Sequence, residues 1–269
     1  MSRTIPELFD LSGRVAVVTG GASGLCYNMA RALGEAGATL VLTSRTLDRA
    51  EKSAERLRKE IAAPVMAVSL NVTEQESIDN MCSDVLDHFG HIDILVNGAG
   101  NVSSKPGTAA FLDRPLDEWQ KVIDTNLTGT FLCSQTVVKR AMLSQKKGTI
   151  VNIGSVTGLI AKDRRMYEGM PFGGSTPDYH AAKGGVHSLT REMAVQLSQY
   201  NIRVNCLVPG VFYRKQDEFF VKYYENIIPV HRMGCEEEDL GGAVVYLASD
   251  ASAYVYGQLL VVDGGLTVW

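Results

Sequence analysis

The feature that most constrains the fold is an apolar run near the N-terminus that ends in glycines. Every residue of the segment 15–19 is small or β-branched, which is typical of a strand buried on both faces of a parallel sheet. Gly20, Gly21 and Gly24 follow, and an amphipathic segment begins directly after them. Glycines at such a turn let the backbone N–H groups of the helix start approach a pyrophosphate. An ordinary tight turn between a strand and a helix would also use glycines, so the residues further along the chain must distinguish it from a pyrophosphate-binding turn.

Apolar periodicity predicts alternating strands and helices along the whole chain. Further strands are expected at 39–43, 65–70, 94–97, 149–153, 202–207 and 259–262. Helices are expected at 47–61, 116–145, 178–200 and 236–248, with another that ends near His88 and that Thr73 and Glu76 open as a capping box. Strands separated by helices with right-handed crossovers predict an α/β fold: a single-domain, Rossmann-type, doubly wound sheet of seven parallel strands with helices on both faces.

Length and charge narrow the class of protein. A chain of 269 residues suits one α/β domain, so residues 1–269 are expected to form a single dinucleotide-binding and catalytic domain. The net charge of −4 and the scattered basic residues argue against nucleic-acid binding. Neither a leader pattern nor a membrane-spanning apolar run is found in the sequence, so we expect a cytoplasmic protein without a membrane partner.

The cysteines indicate reduced thiols and no metal site. The chain has five of them, an odd number, and no pair has CxxC spacing. They are Cys26, Cys82, Cys133, Cys206 and Cys235.

Three further groups of residues carry chemistry. Tyr179 and Lys183 lie at positions i and i+4, on one face of a predicted helix. Ser155 follows the strand at 149–153, at the carboxyl edge of the sheet where ligands of open α/β folds bind. Asn126 lies inside the long helix expected to line the same crevice. Each residue alone has an ordinary structural explanation, such as a packed aromatic or a solvated charge. Together and in this order they predict a catalytic site.

With these residues the chain resembles the short-chain dehydrogenase/reductase family from end to end. The matching features are the glycine-rich turn at 19–24, the Asn-Gly-Ala-Gly sequence at 97–100, the four residues above, Pro209 with Gly210, and the tail at 257–265. The opening segment at 9–15 and the tail resemble the gluconate 5-dehydrogenase-like and 3-oxoacyl reductase-like branches. The resemblance implies an NAD(P)(H)-dependent oxidoreductase that interconverts a secondary alcohol and a ketone.

The resemblance also implies a role for each catalytic residue. A ketone that accepts hydride develops negative charge on oxygen, and it needs a proton donor and a hydrogen bond there. Tyr179 is the implied general acid and base, with Lys183 supplying positive charge and binding the nicotinamide ribose. Ser155 orients the substrate oxygen, and Asn126 positions a water that completes the proton relay. The cofactor-binding residues carried over are Gly20, Ser23, Gly24, Leu25, Ser44, Arg45, Asn71, Val72, Asn97, Ala99, Gly100, Tyr179, Lys183, Pro209, Gly210 and Val211.

The position after the second strand predicts a preference for NADP(H) over NAD(H). Folds of this type that prefer NAD carry an acidic residue about 20 positions after the glycine turn, where it binds the ribose 2′-hydroxyl. Counting from Gly24 reaches Ser44, which is uncharged, with Arg45 next to it and Arg49 beyond. A bond between Arg45 and the 2′-phosphate would favour NADP. The alternative is that Arg45 is a solvated residue before a helix.

Four positions depart from the family pattern. Cys26 stands where the family carries a third glycine, and Gly98 where an asparagine is usual. Asn71 replaces a frequent aspartate, and Arg214 replaces a threonine that contacts the nicotinamide amide. We expect Cys26 to be a buried, inert thiol, the alternative being a thiol activated by the helix N-terminus.

Two segments bear on the substrate. Residues 211–232 are expected to form a lid, and their aromatic content suits either an apolar lid or a packed helix pair. Ser155 and Tyr179 are 24 residues apart, about twice the separation usual in the family, so 161–176 is an insertion held at the rim of the site. We expect Arg164 and Arg165 to clamp a carboxylate there, and Tyr167 or Glu168 to meet hydroxyls. The alternative is a surface loop or a contact between subunits.

These observations favour a polyhydroxy substrate, either a sugar acid or a sugar-like molecule. The alternative substrates are a 3-oxoacyl thioester or a small ketone. Two other classes remain, a non-catalytic dinucleotide-binding redox sensor and an epimerase or dehydratase on the same fold. The intact four-residue set favours a redox enzyme. The resemblance also implies a homotetramer, with the long helices at one interface and residues 266–269 near another.

Overall fold

A seven-stranded parallel sheet forms the centre of the computed structural model, which describes residues 2–100, 110–167 and 174–269. The strand order along the sheet is β3-β2-β1-β4-β5-β6-β7, and every neighbouring pair is parallel. The chain reverses its direction of travel across the sheet between β1 and β4, which opens a crevice at their carboxyl ends. The predicted fold is confirmed. The strands are β1 Val15–Thr19, β2 Thr39–Ser44, β3 Val65–Ser69, β4 Ile94–Asn97, β5 Gly148–Ile153, β6 Ile202–Pro209 and β7 Leu259–Val262.

Helices cover both faces of this sheet. Those of the described residues are α1 Ile5–Phe9, α2 Gly24–Glu35, α3 Leu47–Glu60, α4 Gln75–Phe89, α5 Leu116–Ile123, α6 Gly129–Val137, α7 Leu143–Gln145, α8 Pro177–Ser198, α9 Glu218–Ile227 and α10 Gly241–Ala248. Strand β1 shows the two-sided core directly, because its successive side chains point to opposite faces. Ala16 and Val18 pack with α2, α3 and α10, whereas Val15 and Val17 pack with α4, α6 and α8.

The long helix predicted at 116–145 is continuous but contains two π-helical turns. The first, Asp124–Thr128, joins α5 to α6, and the second, Val138–Met142, joins α6 to α7. Side chains bond to the backbone around the first turn, where Thr125 Oγ1 donates to the carbonyl of Lys121 at 2.9 Å. Single π turns inside α-helices are frequent at functional sites, and Asn126 lies in this one.

Two helix starts differ from the prediction. The capping box of Thr73 and Glu76 is wrong, because α4 begins at Gln75 with Glu74 as its N-cap residue. Asn71 Oδ1 accepts both the hydroxyl of Thr73 at 2.9 Å and its backbone N–H at 3.3 Å, which uses the hydroxyl in a turn. The helix predicted at 236–248 begins only at Gly241, because the Asp239 carboxylate accepts the N–H of Cys235 at 2.7 Å and bends the preceding segment.

Among the residues that the structure describes, no helix combines the length and the apolar character needed to cross a membrane. All five cysteines are free thiols, and four of them are buried.

Candidate active site

A large cavity lies in the crevice at the carboxyl ends of the strands. Its volume is about 1450 Å³, more than a typical pocket for one small ligand. Its lining combines residues that follow β1, β2, β3 and β4 with residues from the segments 161–176 and 211–232. This space suits a dinucleotide together with a small substrate.

The glycine-rich turn at one end of the cavity fits a pyrophosphate. Gly20 and Gly24 have φ angles of 68° and 57°, in the left-handed region that favours glycine. A Cβ atom on Gly20 would lie 3.0 Å from Ala99 Cα, so the turn approaches the end of β4 closely. Helix α2 begins at Gly24, and its N-cap residue Ser23 makes no side-chain cap bond. Ser23, Gly24 and Leu25 line the cavity, so the start of α2 lies where an anion site at a helix N-terminus requires it.

Two departures from the family pattern compensate each other behind this turn. The Cys26 thiol is buried and donates to the carbonyl of Gly98 at 3.4 Å. A Cβ atom on Gly98 would lie only 2.3 Å from Cys26 Sγ. The larger residue at position 26 thus requires the glycine at position 98. Burial raises the pKa of the Cys26 thiol to about 11, which agrees with the expectation of an inert thiol.

The predicted catalytic residues all line this cavity. They are Asn126 in the first π turn, Ser155 after β5, and Tyr179 and Lys183 on α8. The ammonium of Lys183 is buried, donates to the carbonyl of Ile153 at 2.7 Å, and lies 5.6 Å from the centre of the Tyr179 ring. A lysine has three donor hydrogens, so this bond leaves others for a ligand.

Ser155 and Asn126 each present a polar atom at the cavity. Ser155 Oγ accepts the N–H of Thr157 at 3.2 Å and its hydroxyl at 2.9 Å, so the proton of Ser155 remains available for a bound oxygen. The Asn126 amide group donates to the carbonyl of Val122 at 3.0 Å. A Cβ atom on Gly100 would lie 2.8 Å from Asn126 Oδ1, which shows that this oxygen faces the cavity wall at Gly100.

A buried ion pair fixes the start of helix α8, directly before Tyr179. Arg114 donates through Nε and Nη2 to Asp178 Oδ2 at 2.7 and 2.5 Å, and the two side chains are 3% and 0% exposed. The other oxygen of Asp178 accepts the backbone N–H of Tyr179 at 2.9 Å. Sequence patterns did not reveal this pair, because its partners are 64 residues apart in the chain.

A neutral histidine lies behind Ser155. His187 Nε2 accepts the backbone N–H of Ser155 at 3.5 Å, a long bond, and the ring is buried. Burial, followed by the charges of Lys183 and Arg191, lowers the pKa of His187 to about 4. The ring is therefore an uncharged part of the support of Ser155 near neutral pH.

The predicted cofactor residues line the cavity, with Asn97 as the exception. Its buried side chain donates to Ser134 Oγ at 2.8 Å and to Asn152 Oδ1 at 2.9 Å, so it joins β4 to β5 and α6 inside the core. Its side chain cannot serve a cofactor from that position. At the opposite end, Ser44, Arg45 and Arg49 lie along the cavity rim, and both arginines are exposed.

The insertion contributes different residues from those predicted. Arg165 is 84% exposed and pairs with Asp163 at 2.7 Å, while Arg164 donates to the carbonyl of Ser175 at 3.0 Å. Neither arginine lines the cavity among the described residues, so the arginine clamp stays a prediction without a place on the described wall. Arg165 is the first residue of a short 3₁₀ turn, and its backbone N–H and its guanidinium both donate to Asp163, two residues earlier. Lys162, Tyr167 and Ser175 line the cavity instead. The predicted contact of Glu168 lies outside the described residues.

The segment 211–232 packs against the insertion and forms one wall with it. The ring centres of Tyr167 and Phe220 are 6.4 Å apart, and the hydroxyl of Tyr223 donates to Asp163 at 2.8 Å. Phe220 also lines the cavity. The aromatic side chains of helix α9 therefore pack against the insertion.

Comparisons with known proteins agree with this geometry. Residues 20–267 match a family model described as enoyl-(acyl carrier protein) reductase. The chain is 37% identical over 268 residues to a 5-keto-D-gluconate 5-reductase of Escherichia coli strain K12, covering 97% of this chain and 98% of that protein. A short-chain type dehydrogenase/reductase from Mycobacterium marinum has a similar structure, with a TM-score of 0.86, 35% identity and coverage of 99% of this chain and 100% of that one. A gluconate 5-dehydrogenase from Burkholderia cenocepacia J2315, in complex with NADP and tartrate, has a TM-score of 0.87, 33% identity and the same coverages.

Proposed function

Because the chain belongs to the short-chain dehydrogenase/reductase family, we propose that it is an NADP(H)-dependent oxidoreductase of a sugar acid or a sugar-like substrate. The reaction class is that of the family, the interconversion of a secondary alcohol and a ketone with a nicotinamide cofactor. The observation that carries the proposal is the set of Asn126, Ser155, Tyr179 and Lys183 on the wall of one cavity that also contains the glycine-rich turn.

The residues around the substrate oxygen divide the proton chemistry between them. The bound nicotinamide supplies or accepts the hydride. In reduction, the hydroxyl of Tyr179 gives its proton to the ketone oxygen as negative charge develops there. Ser155 donates a second hydrogen bond to the same oxygen, and the ammonium of Lys183 stabilises the phenolate that Tyr179 leaves. Asn126 holds a water that returns a proton to the site. In oxidation each step runs in reverse.

The cofactor end of the cavity supports NADP over NAD. The position that would hold an acidic residue is Ser44, and the adjacent rim carries the guanidinium groups of Arg45 and Arg49. A guanidinium can bind a 2′-phosphate with two parallel hydrogen bonds. The structural relative from Burkholderia cenocepacia has NADP bound.

A polyhydroxy acid fits the other end of the cavity. The relatives described above are named for 5-keto-D-gluconate and gluconate, and the second has tartrate bound. Hydroxyl and amide side chains line this end, namely Ser155, Tyr167, Ser175 and Gln216. We propose that Tyr167 contacts a substrate hydroxyl. A 3-oxoacyl thioester is the second candidate, because a relative from Aquifex aeolicus, 32% identical over 261 residues, is named as a 3-oxoacyl-(acyl-carrier-protein) reductase.

Steady-state kinetics with a small panel tests the proposed function. The panel contains 5-keto-D-gluconate with NADPH, gluconate with NADP, and an acetoacetyl thioester with NADPH, each repeated with the cofactor that lacks the 2′-phosphate. We expect the highest kcat/KM for the sugar acid pair with the phosphorylated cofactor. A preference for the thioester would overturn the substrate assignment. The absence of any cofactor oxidation or reduction would favour a redox sensor, an epimerase or a dehydratase.

We also propose that the enzyme is a cytoplasmic homotetramer. Exposed apolar side chains on the long helices support an assembly, among them Leu116, Phe131 and Val195, which are 78%, 42% and 75% exposed.

A further inference from the structure

Lys162 is a cation of the cavity wall whose ammonium has no carboxylate partner among the residues that the structure describes. Lys162 is half-buried at the start of the insertion, and it lines the cavity at the end of Tyr167 and Ser175. Its ammonium donates to the hydroxyl of Tyr167 at 3.4 Å, a long hydrogen bond. Within the described ranges no aspartate or glutamate oxygen forms an ion pair with Lys162, unlike the neighbouring Arg165.

The groups around Lys162 increase the positive charge of the cavity wall near Tyr167 and Ser175. Asp163 is the next residue, but Arg165 and Tyr223 bind its carboxylate. Burial lowers the pKa of the half-buried His180 of α8, and the charges of Arg164 and Lys162 lower it further. Burial, followed by the charge of Arg164, lowers the pKa of Lys162 to about 8. A partly desolvated ammonium of this kind is costly for the free enzyme unless an anion binds it.

We propose that Lys162 is the specificity-determining residue for the acidic group of the substrate, whose carboxylate it binds beside the hydroxyl of Tyr167. This inference rests on the proposed function. It assigns to Lys162 the carboxylate contact that the sequence analysis expected of Arg164 and Arg165 in the same insertion. A carboxylate supplies the missing counter-charge, whereas a neutral hydroxymethyl group leaves the ammonium desolvated and unpaired. A site built for a charged group discriminates strongly against an analogue that lacks it.

A pair of substrates isolates the acidic group. L-Sorbose carries a hydroxymethyl group in place of the carboxylate of 5-keto-D-gluconate, and the carbon skeleton is otherwise the same. The measured quantity is the ratio of kcat/KM for the acid to kcat/KM for the neutral ketose. We expect Lys162→Met to lower this ratio about tenfold to a hundredfold, mainly through KM for the acid. Lys162→Arg retains the charge and should restore most of the ratio.

Lys222→Met is the matched control. It removes a cation from α9, which packs against the insertion, but the side chain is 68% exposed and lies outside the described cavity wall. We expect its ratio to equal that of the wild type. A ratio unchanged in Lys162→Met, or an equal loss for both substrates, would overturn the specificity role.

The pH dependence of the wild-type ratio gives a second test that needs no variant. Proton transfer by Tyr179 is common to both substrates and cancels in the ratio. Of the groups that face Lys162, Arg164 adds a positive charge. Burial lowers the pKa of His180 below its usual value and raises the pKa of Tyr167 and Tyr224. The carboxylate of Asp163 remains ionised, since its hydrogen bonds with Arg165 and Tyr223 lower its pKa. Lys162 is then the group that changes charge near pH 8.

The ammonium is present below this pKa and is lost above it, so the ratio should be level near pH 6.5 and fall as pH rises through about 8. A ratio that stays level up to pH 10 overturns the role of Lys162. Wild-type enzyme that reduces the acid and the ketose equally well also overturns it but leaves a sugar-like substrate standing. Wild-type enzyme that reduces neither molecule overturns both proposals.

Discussion

At the residue scale, Cys26 and Gly98 show how one substitution requires another. Gly98→Ala should destabilise the protein by about 1–3 kcal/mol, since its Cβ atom would meet Cys26 Sγ in a closely packed turn. Cys26→Gly should relieve most of that clash, although the glycine weakens α2 by itself. The test is a double-mutant cycle from urea unfolding, in which we expect a favourable coupling of at least about 0.5 kcal/mol. Additive effects of the two substitutions would show that they are independent.

Arg45 carries the proposed choice of cofactor. Arg45→Ala should lower the ratio of kcat/KM for NADPH to that for NADH about tenfold to a hundredfold, because a charge-assisted bond to the 2′-phosphate is lost. The efficiency with NADH should stay nearly constant. Lys59→Ala, an exposed position of α3 outside the cavity wall, is the control. An unchanged ratio in Arg45→Ala would mean that another group reads the 2′-phosphate.

Residue positions were predictable where a regular element fixes the direction of the side chain. Tyr179 and Lys183 are one helical turn apart, so their common face followed from their spacing. Arg164 and Arg165 lie in an irregular segment, where local bonds to Ser175 and Asp163 set the direction of each side chain. No periodicity in the sequence predicts such bonds, and Lys162 lines the cavity instead.

At the element scale, strands were predicted more accurately than helix starts. The bounds of β1 and β4 follow from continuous buried runs, because both faces of a parallel sheet are covered there. Helix starts depend on which side chain satisfies the first N–H groups. Thr4 and Glu7 form a capping box at α1, a helix that the periodicity missed, whereas Thr73 and Glu76 form none. The same sequence signature therefore fails where a nearby side chain, here Asn71, binds the hydroxyl that would cap the helix.

The wall made by the insertion and α9 could not be predicted from either segment alone. Tyr167 and Tyr223 reach partners about 53 to 60 residues away in the chain, at Phe220 and Asp163. Only the alternation of apolar residues within α9 is visible in the sequence. This packing covers part of the aromatic surface of α9, so the wall is compatible with the proposed polar substrate.

At the scale of the whole molecule, the position of the active site follows from the order of the strands. In an open parallel sheet with helices on both faces, the chain must at some point start adding strands on the other side of the first one. Here this happens between β1 and β4, whose carboxyl ends border the crevice. The alternation of strands and helices predicted this arrangement, and the motif residues then had to meet there. The assembly of several chains requires surfaces that the sequence pattern does not identify by itself.

The proposed homotetramer predicts a particle of four times the 29.2 kDa chain mass. Exposed apolar residues on α5, α6 and α8, together with Trp269 at the tail, should become buried in it. Light scattering coupled to size exclusion at micromolar protein measures the mass directly. A mass near that of one chain would refute the tetramer, and a dimer would limit the association to one of the two predicted interfaces.

The central claim is that Tyr179 performs proton transfer in a redox reaction at this cavity. Tyr179→Phe retains the ring and removes the proton, so kcat for ketone reduction with NADPH should fall at least about a hundredfold. The Kd of NADPH, measured by fluorescence titration of the same protein, should stay within about threefold of the wild-type value, because the proposed nucleotide contacts at the glycine-rich turn and Lys183 are kept. A Tyr179→Phe enzyme with near-normal kcat would contradict the account.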